Sequence, residues 1–161
     1  MAISSCVALL AVVGCTGGRS SSEPAGGRPA SPSHDAFPFR IAFERGAAKF
    51  EPGDQITITE VRGTSGDMQS GICRISGTYI LASQDEATLA ASVTARDPAD
   101  GRGPWNRAQT MTITKGTGTF TLLLPISVDG WPHVSFYGKS SAFGGCYIGT
   151  GESVLRRWWG S

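Results

Sequence analysis

From Phe37 onward apolar and polar residues alternate in short runs, the pattern of half-buried strands. Phe39, Ile41 and Phe43 share one parity, as do Ile56 and Ile58 around Thr57. Between Ile72 and Ser83, the residues Cys73, Ile75, Tyr79 and Leu81 fall on one face, with Ser76 and Thr78 opposite. The same alternation marks Leu89 to Thr94, Thr110 to Thr114, Phe120 to Ile126, Trp131 to Tyr137, Cys146 to Ile148, and Ser153 to Trp158. Turn-rich pieces separate these runs: Pro52-Gly53-Asp54, Gly63 to Gly71, and Asp129-Gly130. Lys115-Gly116-Thr117-Gly118, between two Thr-rich runs, reads as a hairpin. Asp85 to Ala91 has room for one helical turn, but the β-branched residues after it favour a strand. With no sustained helical period, the expectation is an all-β domain. About eight strands would form an immunoglobulin-like antiparallel β-sandwich. A fold class of this kind implies no function by itself.

Composition agrees with many turns and few helices. Gly accounts for 22 of the 161 residues and charged residues for 17%, against a usual charged share of about 25%. A net charge of +1 lacks the basic excess that nucleic-acid binding normally requires. The length suits one domain with a tail and is enough to bury a core.

The tail has its own pattern. Cys6 to Gly14 form one apolar run, too short to span a hydrocarbon layer of about 30 Å but of the length found at the centre of a secretory signal. Met1 to Ser5 hold no Lys or Arg, so either translation starts further upstream or the α-amino group is the only charge ahead of the run. Thr16 to Asp35 contain no Val, Ile, Leu, Met or aromatic residue, and so have nothing to bury against the entropy of ordering. A Gly/Ser/Pro tether of that length reaches on the order of 25 Å. The expected organisation is a signal peptide at 1–14, a disordered linker at 15–36, and a β-sandwich at 37–161.

Val12-Val13-Gly14-Cys15, directly behind the apolar run, resembles the lipobox of bacterial lipoproteins. The resemblance implies cleavage before Cys15 and acylation of its thiol and amino group. The protein would then sit in the cell envelope, outside the cytoplasm, anchored to a membrane by lipid.

With Cys6 in the signal and Cys15 committed to lipid, Cys73 and Cys146 remain, both on the apolar parity of their strands. In an oxidising compartment an even pair reads as a disulfide. Closing a loop of this length would stabilise by roughly 4 kcal/mol, less any strain. Two buried free thiols are the alternative.

The chemical inventory is thin. His34 lies in the linker, and His133 has no G-x-S-x-G pattern to serve. No Gly-Lys-Ser/Thr follows the glycines at Gly118 or Gly149 to Gly151. Asp85, Glu86, Asp97, Asp100 and Asp129 fall in expected loops. Arg96 to Gly101 lacks the spacing of a calcium loop and reads as a turn. No cofactor, metal or catalytic set is expected. In Trp131 to Tyr137, Val134 and Phe136 supply the core face, so Trp131, His133, Ser135 and Tyr137 line the other. If open, Trp131, His133 and Tyr137 form a flat amphipathic platform suited to a sugar or a partner protein. If loops or the C-terminus cover it, the platform is structural. Arg156-Arg157-Trp158-Trp159 carries too little charge to hold a lipid surface, and packing of one Trp against the sandwich edge is expected.

Gly53 to Ile58, Gly77 to Ser83, Gly118 to Leu122, Trp131 to Tyr137 and Phe143-Gly144-Gly145 together resemble an uncharacterised family of bacterial extracytoplasmic β domains, over roughly residues 37–159. That resemblance implies a folded module and carries over no activity. The functional expectation is therefore a non-enzymatic envelope module that binds an envelope protein or glycan, or is structural. One alternative is a carbohydrate- or small-ligand-binding module using the aromatic face. A further one is an inhibitor or accessory subunit of an envelope enzyme.

Overall fold

Two strands longer than any run in the alternation pattern organise the molecule. The computed structural model describes residues 35–97, 99, 106–139 and 141–157. Seven strands are formed there: β1 (Phe39–Arg40), β2 (Glu44–Lys49), β3 (Gln55–Gly63), β4 (Gly71–Ala95), β5 (Thr110–Ile126), β6 (Gly130–Tyr137) and β7 (Ala142–Gly149). All pairings are antiparallel, in one sheet of order β1-β3-β4-β6-β7-β2, with β5 also paired to β4. The all-β expectation is met. Single-turn 3-10 segments lie at Arg107–Gln109 and Gly151–Ser153.

The sheet curls because β4 has different neighbours along its length. Cys73 to Ile80 pair with β3, and Thr88 to Ala95 pair with β6, while β5 accompanies both parts. Between them the β4–β5 register shifts, from Leu81↔Gly116 to Glu86↔Thr114. Gly116 takes φ +124°, a conformation open to glycine and strained for other residues. Asp54, buried in the turn ahead of β3, fixes the other side of the bend. Its carboxylate accepts from the backbone N–H groups of Ala82 and Ser83 at 2.7 and 3.0 Å, and from the Ser83 hydroxyl at 2.5 Å.

β1 and β2 stand at opposite ends of the strand order, yet only Ile41 to Phe43 separate them. Three residues span roughly 10 Å, so the two ends of the sheet must approach one another. Phe43 and Arg45 share a cavity of about 110 Å³ with Ile56 and Ile58 of β3 and Cys146 and Ile148 of β7.

The concave face is the core. Ile75, Leu81, Leu89, Ala91, Leu122, Leu124, Val134, Phe136 and Ile148 are fully buried there. Phe136 stacks on Phe143 and meets Phe50 edge-on. Two cross-strand pairs set glycine against an aromatic ring, Gly77 with Phe120 and Tyr79 with Gly118. A Cβ at Gly118 would stand 2.7 Å from the Tyr79 ring, so each ring occupies the place a second side chain would need. On the convex face Thr57, Thr78 and Thr119 stand in register across three strands, and the Ser76 and Thr121 hydroxyls lie 3.1 Å apart. Arg62 holds the incoming chain on that face through the carbonyls of Phe37 and Pro38, and Arg74 lies over the Phe37 ring.

Several expectations need correction. The runs at Ile72 and Leu89 are one strand, as are those at Thr110 and Phe120, which leaves seven strands in one hydrogen-bonded sheet. Lys115 to Gly118 runs on within β5 with no hairpin; the bulge at this point is in β4, where residues 82–85 stand opposite Lys115 alone. Asp85 and Glu86 lie in the exposed bend of β4. From Gly151 the chain makes a 3-10 turn and then runs as an irregular segment over β2, where the Leu155 carbonyl accepts from the Ala47 N–H and Arg156 pairs with Glu44 at 2.7 Å.

The expected Cys73–Cys146 disulfide is absent: both thiols are free and buried. Cys146 lies against Ile56 and Ile58, whose register partners on β4 are Tyr79 and Gly77. Cys73 is four residues beyond Gly77, roughly 13 Å further along the strand. A bridge needs Cα atoms within about 7 Å. The signal segment, Cys15 and the linker up to residue 34, together with Asp100, Gly101 and Trp158–Trp159, lie outside the described residues.

Candidate functional site

β6 runs between β4 and β7, so both of its edges are paired and side chains of both neighbours flank its own. By parity Trp131, His133, Ser135 and Tyr137 do share the convex side, but they form no open platform. His133 and Ser135 are buried, and Trp131 and Tyr137 are half-buried. Each imidazole nitrogen meets a serine: Nδ1 lies 2.9 Å from Ser135 Oγ, and Nε2 lies 2.9 Å from Ser92 Oγ on β4. Hydroxyls rotate, so either imidazole tautomer satisfies both contacts. The Tyr147 ring of β7 tilts over the imidazole at 5.1 Å, and its hydroxyl lies 3.2 Å from that of Thr94. Gly145 makes room for this cluster, since a Cβ there would collide with Ser135. Ser92, Thr94 and Tyr147 join the cluster from strands distant in sequence. Their only sequence signal is polar residues at strand positions that face neither core nor open water.

Trp131 leads to a different site. The Arg96 guanidinium lies over its ring at 5.3 Å and pairs through Nε with Asp129 Oδ2 at 2.9 Å. The Arg96 backbone N–H donates to the Asp129 carbonyl at 2.9 Å. Arg96 and Asp129 line a groove of about 700 Å³ at one end of the curled sheet. Its apolar floor is Met68, Ile126 and Val128, and its polar rim is Gln69, Arg96, Ser127, Asp129 and Glu152. The lining comes from the loop between β3 and β4, the end of β4, the turn between β5 and β6, and the 3-10 turn after β7. A volume of this order is typical of small-ligand sites. Asp129 and Glu152 against Arg96 leave the rim mildly acidic, suited to a polar ligand without strong negative charge. Trp131, His133 and Tyr137 do not line the groove; Trp131 reaches it only through Arg96.

His133 has serines on both nitrogens, so the relay of serine, histidine and carboxylate is not built through them. Burial pushes the thiols of Cys73 and Cys146 up to about 11; Asp67 adds to the rise at Cys73, and Arg45 opposes it at Cys146. Thiols held in that state are poor nucleophiles at neutral pH. Among the described residues no group of three His, Cys, Asp or Glu side chains is placed to hold a metal ion. No described helix is long and apolar enough to cross a membrane. Comparison with family models, with curated proteins and with solved structures gives no match.

Proposed function

We propose that this chain is a lipid-anchored protein of the bacterial cell envelope, with a non-enzymatic β head that binds a ligand or partner outside the cytoplasm. The anchor rests on the apolar run at Cys6 to Gly14, on Cys15 in its lipobox-like context, and on the linker without apolar residues. The binding role rests on one observation, the groove walled by Arg96, Asp129 and Glu152 over Met68, Ile126 and Val128. Its concave shape favours a glycan or other small polar ligand over a flat protein surface. The resemblance to extracytoplasmic β domains over residues 37–159 belongs to the same reading. As a finer description of the fold we propose two sandwich-like layers facing each other across the Phe136 cluster. The strands β4 and β5 run through both layers, whereas an immunoglobulin domain keeps its two sheets separate.

The test is saturation-transfer NMR of soluble envelope glycan fragments with the full chain. Transfer should be lost in Arg96→Ala and Glu152→Ala and kept in Tyr137→Ala. Absence of transfer from every fragment, or transfer unaffected by both groove substitutions, would refute the reading.

A further inference from the structure

The outer edge of β5 is a second feature in want of a partner. Among the described residues, β5 pairs only with β4, over 110–114 and 116–126. An open strand edge presents unpaired N–H and C=O groups, which proteins usually guard with charge, proline or bulges. Here the guards stand at the two ends. Lys115, opposite the bulge in β4, closes one, and Pro125 closes the other. Between Lys115 and Asp129 there is no charged residue.

The backbone orientation along this edge follows from Ile72. Its N–H donates to Thr64 Oγ1 at 3.0 Å, and its carbonyl accepts from the Thr64 N–H at 3.0 Å. Both groups thus point away from β5, so Ile72↔Pro125 is a pair without ladder hydrogen bonds. Pro125, which has no N–H to give, therefore turns its backbone to the free edge, where a strand tolerates proline. Counting back by two, Thr117, Thr119, Thr121 and Leu123 turn their N–H and C=O groups to the same edge.

We propose that this edge pairs with the same edge of a second copy of the chain, antiparallel and about a two-fold axis at Phe120. In that register Thr119 faces Thr121 of the partner subunit, and Thr117 faces Leu123 of the partner subunit. All four edge residues on each side find partners, and the lack of charge leaves no like-charge repulsion across the axis. The hydroxyl row of Ser76 and Thr121 continues across the junction, and Thr–Thr contacts favour antiparallel pairs. Lys115 and Pro125 confine the pairing to the run between them, so the contact closes as a dimer. One strand pair is a small interface, at the weak end of specific association. This assignment is independent of the groove.

Sedimentation velocity of the full chain over a wide concentration range tests it. The wild type should pass reversibly from monomer to dimer. Thr119→Pro and Thr121→Lys should each remain monomeric at concentrations where the wild type is dimeric. The Thr119→Lys/Thr121→Glu double variant should regain the dimer, because the register places opposite charges in contact twice. Amide exchange at Thr117, Thr119, Thr121 and Leu123 should slow as the dimer forms. A chain that stays monomeric, that grows into open-ended assemblies, or whose dimer survives both single substitutions would overturn the proposal. So would a charge-swapped variant that stays monomeric while the single Lys variant folds.

Discussion

Asp54 accepts a hydrogen bond from the Ser83 hydroxyl at 2.5 Å and another from the Ser83 backbone N–H at 3.0 Å, across 29 residues of sequence. With the bond from Ala82, the carboxylate receives three donors at the place where β4 changes neighbours. Hydrogen bonds to a charged group contribute roughly 1.5–3 kcal/mol each, and their loss leaves buried donors unpaired. Asp54→Ala should therefore destabilise by about 3 kcal/mol or more. Asp54→Asn keeps one accepting oxygen and should cost less, as should Ser83→Ala. Urea titration of the three variants checks the order, and an Asp54→Ala midpoint equal to wild type would remove Asp54 from the bend.

The thiols set a dependence on alkaline pH. Each is raised from an ordinary 9.0 to about 11 by burial, so the folded state holds its proton more tightly than the unfolded chain does. The resulting stability is fully present below pH 9 and is lost as pH rises from 9 through about 11. It amounts to about 2–3 kcal/mol for each thiol. Urea midpoints of the wild type should fall across that window more steeply than those of a Cys73→Ala/Cys146→Ala variant. Two thiols should also react with an aromatic disulfide reagent only after unfolding. Parallel pH curves would show that the thiols do not contribute.

His133 is the hub of the convex polar cluster. His133→Ala strands the hydroxyls of Ser92 and Ser135 and removes the ring beneath Tyr147. A loss of about 2–4 kcal/mol is expected, against about 1 kcal/mol for Ser92→Ala, which removes the contact at Nε2 and keeps those with Ser135 and Tyr147. Thermal unfolding separates the two. Equal small losses would mean that the cluster is not acting as a network.

Cys15 governs the anchor. Cys15→Ser should abolish incorporation of a radiolabelled fatty acid and release the head in soluble form. Label persisting in Cys15→Ser would place any lipid elsewhere.

Parity was legible residue by residue, since the core lies on one side of a curled sheet: Cys73, Ile75, Leu81, Leu122, Leu124, Val134 and Phe136 all point where alternation puts them. Continuity was not legible. Ser83 to Glu86 are exposed and polar, as a turn would be, and Asp54, far away in sequence, ties the start of this stretch into the strand at Ala82 and Ser83. Lys115 to Gly118 has hairpin composition for two other reasons: Gly116 takes a positive φ beside the β4 bulge, and Gly118 leaves room for the Tyr79 ring. The direction of the Trp131–Tyr137 face was legible, but the sequence left its cover open. Whether a polar strand face meets water depends on Ser92 and Tyr147, which no local pattern assigns to it. The groove was invisible for a related reason: Met68, Arg96, Asp129 and Glu152 come from four separate connections.

The short crossing at Ile41 to Phe43 also sets an order of events. β1 can pair with β3 as soon as Gly63 exists, but Glu44 of β2 pairs with Gly149 of β7, nearly the whole folded length away. A chain emerging N-terminus first must hold β2 unpaired until β7 arrives, and contacts that distant make folding slow. The Arg45–Lys49 stretch is charged at both ends, which keeps the waiting strand soluble. Removing those charges should leave the finished protein standing and lower the yield of molecules that reach it.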